Sequence, residues 1–212
     1  MKITQKKAVT LLRFLFPLWA LVGLFSIFYV PSKLIVFEDA ALTASNILAN
    51  PLLFSLGIVG ILLTQIIFIV TVLVMYKLFE KVNKDYSLLM VILALVSVPI
   101  AMLNALNLVA AKLSIANADK MMLFLNLNVE GMMIASVFWG LWLFPYGYLV
   151  YKAYFFPKFL GVLVMIAGLG YTLAFFAHFL LPIEALISVF EFLTIGETLF
   201  MLWVVVLGAK IR

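Results

Sequence analysis

The chain contains no cysteine and a single histidine, His178. The missing cysteines exclude disulfides, thiolate metal sites, iron–sulfur clusters, cysteine nucleophiles and palmitoylation. One histidine cannot supply bis-histidine haem or a three-histidine zinc site. Charge is also scarce. Charged residues make up 11% of the 212 residues and hydrophobic residues 67%, against roughly 25% and 45–50% in a soluble domain. Too few charges remain to cover a water-facing surface, which excludes a soluble globular enzyme, a coiled coil and a disordered chain. With a mean hydropathy of +1.28, the class that remains is a multi-pass membrane protein.

Long apolar runs are what the chain does have. Six can be marked off: Ala8 to Val30, Leu52 to Tyr76, Leu88 to Ala111, Met121 to Tyr151, Phe159 to Leu181 and Ala185 to Gly208. About 20 residues at 1.5 Å each cross a ~30 Å hydrocarbon core, so each run predicts one spanning helix. The runs do not alternate, so strands of a membrane barrel are not expected. The fold class is therefore all-α, a polytopic bundle of six transmembrane helices in a single domain over residues 1–212. The first run is longer than a signal-peptide core and no small-x-small pattern directly follows Tyr29, so it reads as a retained helix.

The net charge of +5 is a topology signal rather than a nucleic-acid footprint. Lys2, Lys6, Lys7, Arg13, Lys77, Lys81, Lys84, Lys152, Lys158, Lys210 and Arg212 all fall on one side of the six runs. Lys33, Lys112 and Lys120 fall on the other. The positive-inside rule then puts both termini in the cytoplasm, at the cell membrane, with anionic lipid as a partner. Tyr146, Tyr148, Tyr151, Tyr154, Phe155 and Phe156 crowd the cytoplasmic ends of spans four and five and read as an interfacial belt. Pro157 opens the fifth helix, while Pro17, Pro99 and Pro145 lie within spans and predict kinks. Ser136-x-x-x-Gly140 and Gly170-x-x-x-Ala174 are small-residue pairs that let helices approach closely. On the outer side, residues 31–51 form the longest loop. Asp39 to Ala49 suits a short amphipathic lid helix, with Leu34, Ile35, Ile47 and Leu48 packed on the helix ends.

Polar residues inside the spans are the best pointers to function, because each is costly unless partnered. Counting depth along the helices separates two layers. The outer layer holds Asn104 and Asn107, Asn126, Asn128 and Glu130, His178, and Glu191. The second, near the midplane, holds Gln65, Ser97, Trp139, Tyr171 and Glu197. No lysine or arginine lies at these depths, so the neutral acid, hydrogen-bonded to Gln65, Tyr171 or the Leu95 carbonyl that Pro99 frees, is the expected state of Glu197. The candidate ligand-binding residues are therefore Glu197, Gln65, Trp139, Tyr171, Asn104, Asn107, Glu130, His178 and Glu191. His178, Glu130 and Glu191 match catalytic zinc in ligand count only. Without H-E-x-x-H or paired histidines, no metal or other cofactor is assigned. G-x-S-x-G and phosphate-cradling motifs are absent, and no aspartate lies within a span.

An ordered set of segments runs along the chain: Ser32 to Val36 with Asp39-Ala40 and Asn46 to Asn50; Phe138-Trp139-Gly140; Gly147-Tyr148-Leu149; Phe156 to Gly161; Ala167 to Tyr171; and Gly196-Glu197-x-x-Phe200-x-Leu202-Trp203. Together they resemble the bacterial and archaeal multi-pass membrane family catalogued as domain of unknown function 4386. The resemblance implies a six-helix membrane domain and draws attention to Glu197. It implies no activity. Members often carry a histidine near the position of Asn128, and the asparagine here weakens histidine chemistry in the outer layer. Three functions stay open: binding or transport of a small apolar or amphipathic ligand, a cation included, in a pocket open to the outer side; an intramembrane enzyme acting on a lipid or isoprenoid; and a structural or assembly subunit without a ligand. Oligomeric state is not legible.

Overall fold

A computed structural model describes residues 3–181 and 183–211. It is all-helical, and among the described residues there is no strand. The helices are α1 (Gln5–Gly23), α2 (Val30–Leu34), α3 (Ala40–Ala49), α4 (Pro51–Phe79), α5 (Lys84–Leu113), α6 (Ala118–Lys152), α7 (Lys158–Leu180), α8 (Glu184–Leu193) and α9 (Ile195–Val206). A π-helical stretch, Leu24–Tyr29, joins α1 to α2. Among the described residues, six stretches are long and apolar enough to span a membrane: Gln5–Leu34, α4, α5, α6, α7 and Glu184–Val206. Large apolar side chains are exposed along them, as at Leu21, Phe28, Leu103 and Leu106. Such side chains suit lipid rather than water.

Short polar residues start the helices. The Asp39 carboxylate accepts from the Leu42 N–H at 2.8 Å, Asn83 Oδ1 from the Tyr86 N–H at 3.0 Å and Asn117 Oδ1 from the Lys120 N–H at 2.9 Å. Each satisfies one of the first-turn donors that a helix cannot pair internally. Pro157 precedes α7 with extended backbone. Pro17, Pro99 and Pro145 lie inside α1, α5 and α6, which continue through them as single helices. The sixth span is the interrupted one: α8 and α9 meet at Thr194, whose hydroxyl turns back to the Glu191 carbonyl at 2.6 Å.

The chain packs as two compact units. The first comprises Met1–Pro17, Ile69–Val98 and Ile134–Arg212; the second comprises Leu18–Phe68 and Pro99–Met133. Two of the divisions fall at Pro17 and Pro99, where a helical hydrogen bond is missing.

The second unit has a mainly aliphatic core of Val30, Leu34, Ile47, Ile61, Leu108, Met121 and Leu125 with Phe54 among them, against which Ile35 is partly buried. The loop before α3 is tied down by Thr43, whose hydroxyl donates to the Val36 carbonyl at 2.9 Å and accepts the Val36 N–H at 2.8 Å. Leu48 does not pack as expected and is 62% exposed. It follows Ile47 by one residue, about 100° around the helix, so burying one turns the other outward.

The first unit is built on aromatic rings. Tyr146 stacks on Trp142 at 5.1 Å and meets the edges of Phe79 and Phe200 at 5.9 and 5.2 Å. Phe155 and Phe156 join the same cluster. This corrects the interfacial-belt reading for these residues. Tyr146, Phe155 and Phe156 are 1%, 2% and 5% exposed, whereas Tyr154 is 71% exposed. Tyr146 is carried by α6, whereas Tyr154, Phe155 and Phe156 lie in the turn between α6 and α7, which sends two of its rings inward and one outward. Arg13 also has a specific role: its guanidinium donates to the Val205 carbonyl at 2.9 Å and the Val206 carbonyl at 3.4 Å, closing the end of α9.

Candidate functional site

Helix α7 buries a face of small residues: Gly161, Ala167, Gly168, Gly170, Ala174 and Ala177. These let neighbouring backbones come near. A Cβ on Gly140 of α6 would lie 2.8 Å from the Gly168 carbonyl oxygen, and one on Gly147 would lie 2.6 Å from that of Gly161. A Cβ on Gly170 would lie 2.6 Å from the Phe190 carbonyl oxygen, and one on Gly196 would lie 2.9 Å from the Leu163 carbonyl carbon. Helices held this closely bring polar side chains from α6, α7 and α9 into reach of one another.

Three sequence-predicted residues meet here. The Tyr171 hydroxyl donates to Glu197 Oε2 at 3.5 Å, and Trp139 meets the Tyr171 ring edge-on at 6.3 Å. Glu197 is 9% exposed and sits in the first turn of α9. Among the described residues no lysine or arginine pairs with it. A fourth residue, Tyr146, was expected only at the interface. Its hydroxyl is buried with no hydrogen-bond partner among the described residues. Its ring packs on Phe200, one helical turn beyond Glu197, and a helical side chain covers the turn before its own Cα. The carboxyl therefore bears electrostatically on both tyrosines. The signal for Tyr146 was in the spacing: Trp139, Trp142 and Tyr146 are i, i+3, i+7 on α6 and share a face.

The remaining candidates are placed differently. Asn104 Nδ2 donates to the Asn128 carbonyl at 2.8 Å, Asn128 Nδ2 returns a bond to the Asn104 carbonyl at 3.2 Å, and Asn107 Nδ2 donates to Asn104 Oδ1 at 2.9 Å. Gly131 makes room for this cluster, because a Cβ there would collide with the Asn104 amide. The cross-helix partner of Asn104 is thus Asn128, not one of the charged outer-layer residues. Glu130 is half-buried in the same unit, while His178 lies in the other, edge-on to Phe179 at 4.9 Å. Glu191 is exposed on α8. Gln65 is buried in the second unit, and the side-chain partner of Glu197 is Tyr171. No group of three His, Asp or Glu among the described residues could hold a metal ion.

The site thus offers a carboxyl group and two phenols in aromatic surroundings. It can hold a cation or exchange a proton.

Comparison with known proteins gives two matches. The family described as Domain of unknown function (DUF4386) matches residues 14–208. A protein of Archaeoglobus fulgidus, described as uncharacterized, is 31% identical over 163 residues, covering 76% of this chain and 88% of its own. No solved structure matches the chain.

Proposed function

Because the chain belongs to the family described as Domain of unknown function (DUF4386), whose description carries no activity, we propose a function from the site itself. This membrane protein binds a small amphipathic, cationic ligand at Glu197, Tyr171, Trp139 and Tyr146, and transports it. The observation that carries the reading is the buried Glu197 carboxyl, held by one 3.5 Å contact and lacking a counter-cation among the described residues. Ionisable groups at this depth are costly and concentrate where a ligand, ion or proton is handled. Aromatic faces beside the acid favour a cation. The interruption at Thr194 adds support for transport, since discontinuous spans recur at transporter sites. The Asn104 cluster spends its hydrogen-bonding capacity internally and is assigned to helix packing. The excess of basic residues on one side of the spans supports a cytoplasmic position for both termini.

The test uses the full chain in lipid nanodiscs with tetraphenylphosphonium as probe. Wild type is expected to bind it. Glu197→Gln, which keeps size and hydrogen bonding, is expected to fold yet bind at least about tenfold more weakly, equivalent to about 1.4 kcal/mol. Tyr146→Phe is expected to fold and weaken binding less. Equal binding by Glu197→Gln, or no binding by wild type, would make the acid a packing contact.

A further inference from the structure

Helix α4 carries adjacent polar residues near its middle, Thr64 and Gln65, and only one is complete. Thr64 Oγ1 donates to the Gly60 carbonyl at 2.8 Å. Gln65 is 5% exposed, and its Oε1 has no hydrogen-bond partner among the described residues. On α1, the Trp19 Nε1–H is enclosed and likewise has no acceptor among them. Both residues belong to the second unit. Their deficits are complementary, since an indole N–H only donates and an amide oxygen only accepts.

The packing places the two residues at neighbouring turns of one helix pair. Trp19 stacks on Phe68, with ring centroids 5.3 Å apart and planes 22° apart. Phe68 follows Gln65 by three residues and shares its helix face. A helical side chain covers the turn before its own Cα. The Phe68 ring, with the indole on it, therefore lies over the turn of Gln65. Small residues keep α4 close to the chain that continues from α1. A Cβ on Gly60 would lie 2.8 Å from the Ser26 Cβ, and one on Gly23 would lie 3.9 Å from Thr64 Cγ2. The π-helical stretch begins five residues after Trp19. Such irregular turns are frequent at functional sites.

We propose that Trp19 and Gln65 bind a hydroxyl group between them, one that accepts from the indole Nε1–H and donates to the amide Oε1. A hydroxyl is the smallest group that both donates and accepts, so one guest completes both side chains. Two sources share that chemistry: a buried water, and the hydroxyl end of a membrane-soluble alcohol. The proposal does not depend on Glu197.

The test is nuclear magnetic resonance of the full chain, labelled with ¹⁵N-tryptophan, in nanodiscs of perdeuterated lipid. Its 4 tryptophans give few indole signals, and Trp19→Phe identifies the one that belongs to Trp19. Magnetisation transfer from that Nε1–H to water, without additive, identifies water as the guest. Transfer to the chain protons of added dodecanol, saturating on titration, identifies an alcohol. In Gln65→Leu the transfer is expected to disappear while the other indole signals hold their positions, and Gln65→Met replaces it should Leu fail to fold. A wild-type Trp19 indole with transfer to neither species would overturn the proposal. So would transfer that persists undiminished in the Gln65 variant, because the amide would then have no part in holding the guest.

Discussion

In the second unit, Asn104, Asn107 and Asn128 bond to one another and to backbone carbonyls across α5 and α6. In the first, Glu197 is reached by one phenol at 3.5 Å, and the hydroxyl of Tyr146 has no partner among the described residues. Amides can close a circuit among themselves because each carries donors and acceptors. A carboxyl and two phenols among aromatic rings offer fewer ways to do so. The glycines differ in parallel. Gly131 of the second unit faces an amide side chain, while Gly140, Gly147 and Gly170 of the first face carbonyl oxygens of neighbouring helices. One region uses polar side chains as packing glue. The other uses backbone contact as glue and leaves its carboxyl and phenol groups sparsely hydrogen-bonded.

The sharpest way to break this comparison is to add side chain where backbones touch. Gly161→Val should have the largest effect. Even its Cβ would lie 2.6 Å from the Gly147 carbonyl oxygen and 2.7 Å from the Tyr151 Cβ. Backbone cannot step aside as a flexible side chain can, so the cost should reach or exceed the upper part of the ~1–3 kcal/mol range for overpacking. Thermal unfolding in detergent checks it, with most of the folded protein expected to be lost. Ordinary stability in this variant would mean that α6 and α7 do not depend on the contact.

Asn104→Ala should cost less. It removes the donor to the Asn128 carbonyl and the acceptor for Asn107 Nδ2, but the bond from Asn128 Nδ2 to the backbone of residue 104 survives. Polar contacts between membrane helices average about 0.6 and reach about 1.7 kcal/mol, and a loss within that range is expected by the same measurement. A much larger loss would show that these amides do more than fasten two helices.

What was legible from the residues follows from what each inference required. Spans need only an apolar run of sufficient length, so six appear with ends within a few residues of the helices observed. Depth counting needs only a helical rise, and it places Trp139, Tyr171 and Glu197 at one level, where their side chains meet. Azimuth is different. Helices that are apolar nearly all round carry little periodic signal for which face is buried. For that reason the buried side of Tyr146 on α6 could not be read from position alone, and Tyr154, Phe155 and Phe156 lie in the turn between α6 and α7, where no helical period applies. The π-helical stretch precedes Pro31, which cannot bond the carbonyl four residues back, and the interruption at Thr194 precedes Gly196, but neither residue by itself predicts the kind of irregularity that forms. Gly57 and Gly60 mark close approaches that only the fold reveals.

The smallest effect should come from Leu48. An amphipathic lid would bury it beside Ile47, yet Ile47 is 1% and Leu48 62% exposed. Leu48→Gln removes apolar surface that the protein itself does not cover, so it should change stability by no more than about 0.5 kcal/mol, as surface substitutions do. Ile47→Ala on the same turn should cost about 2–5 kcal/mol, because it empties part of the core shared with Leu34 and Phe54. The contrast between neighbours is what the experiment reads, in detergent and again in lipid nanodiscs. Near-neutrality of Leu48→Gln in both media would show that Leu48 takes no part in holding α3 to the second unit. Near-neutrality in detergent with a loss of more than about 1 kcal/mol in nanodiscs would show that lipid covers Leu48, since fully burying a leucine side chain contributes about 1.5–3 kcal/mol. A large loss in both would mean that the helix face carrying Leu48 is packed against protein, and the division of α3 into a buried and an exposed face would fail.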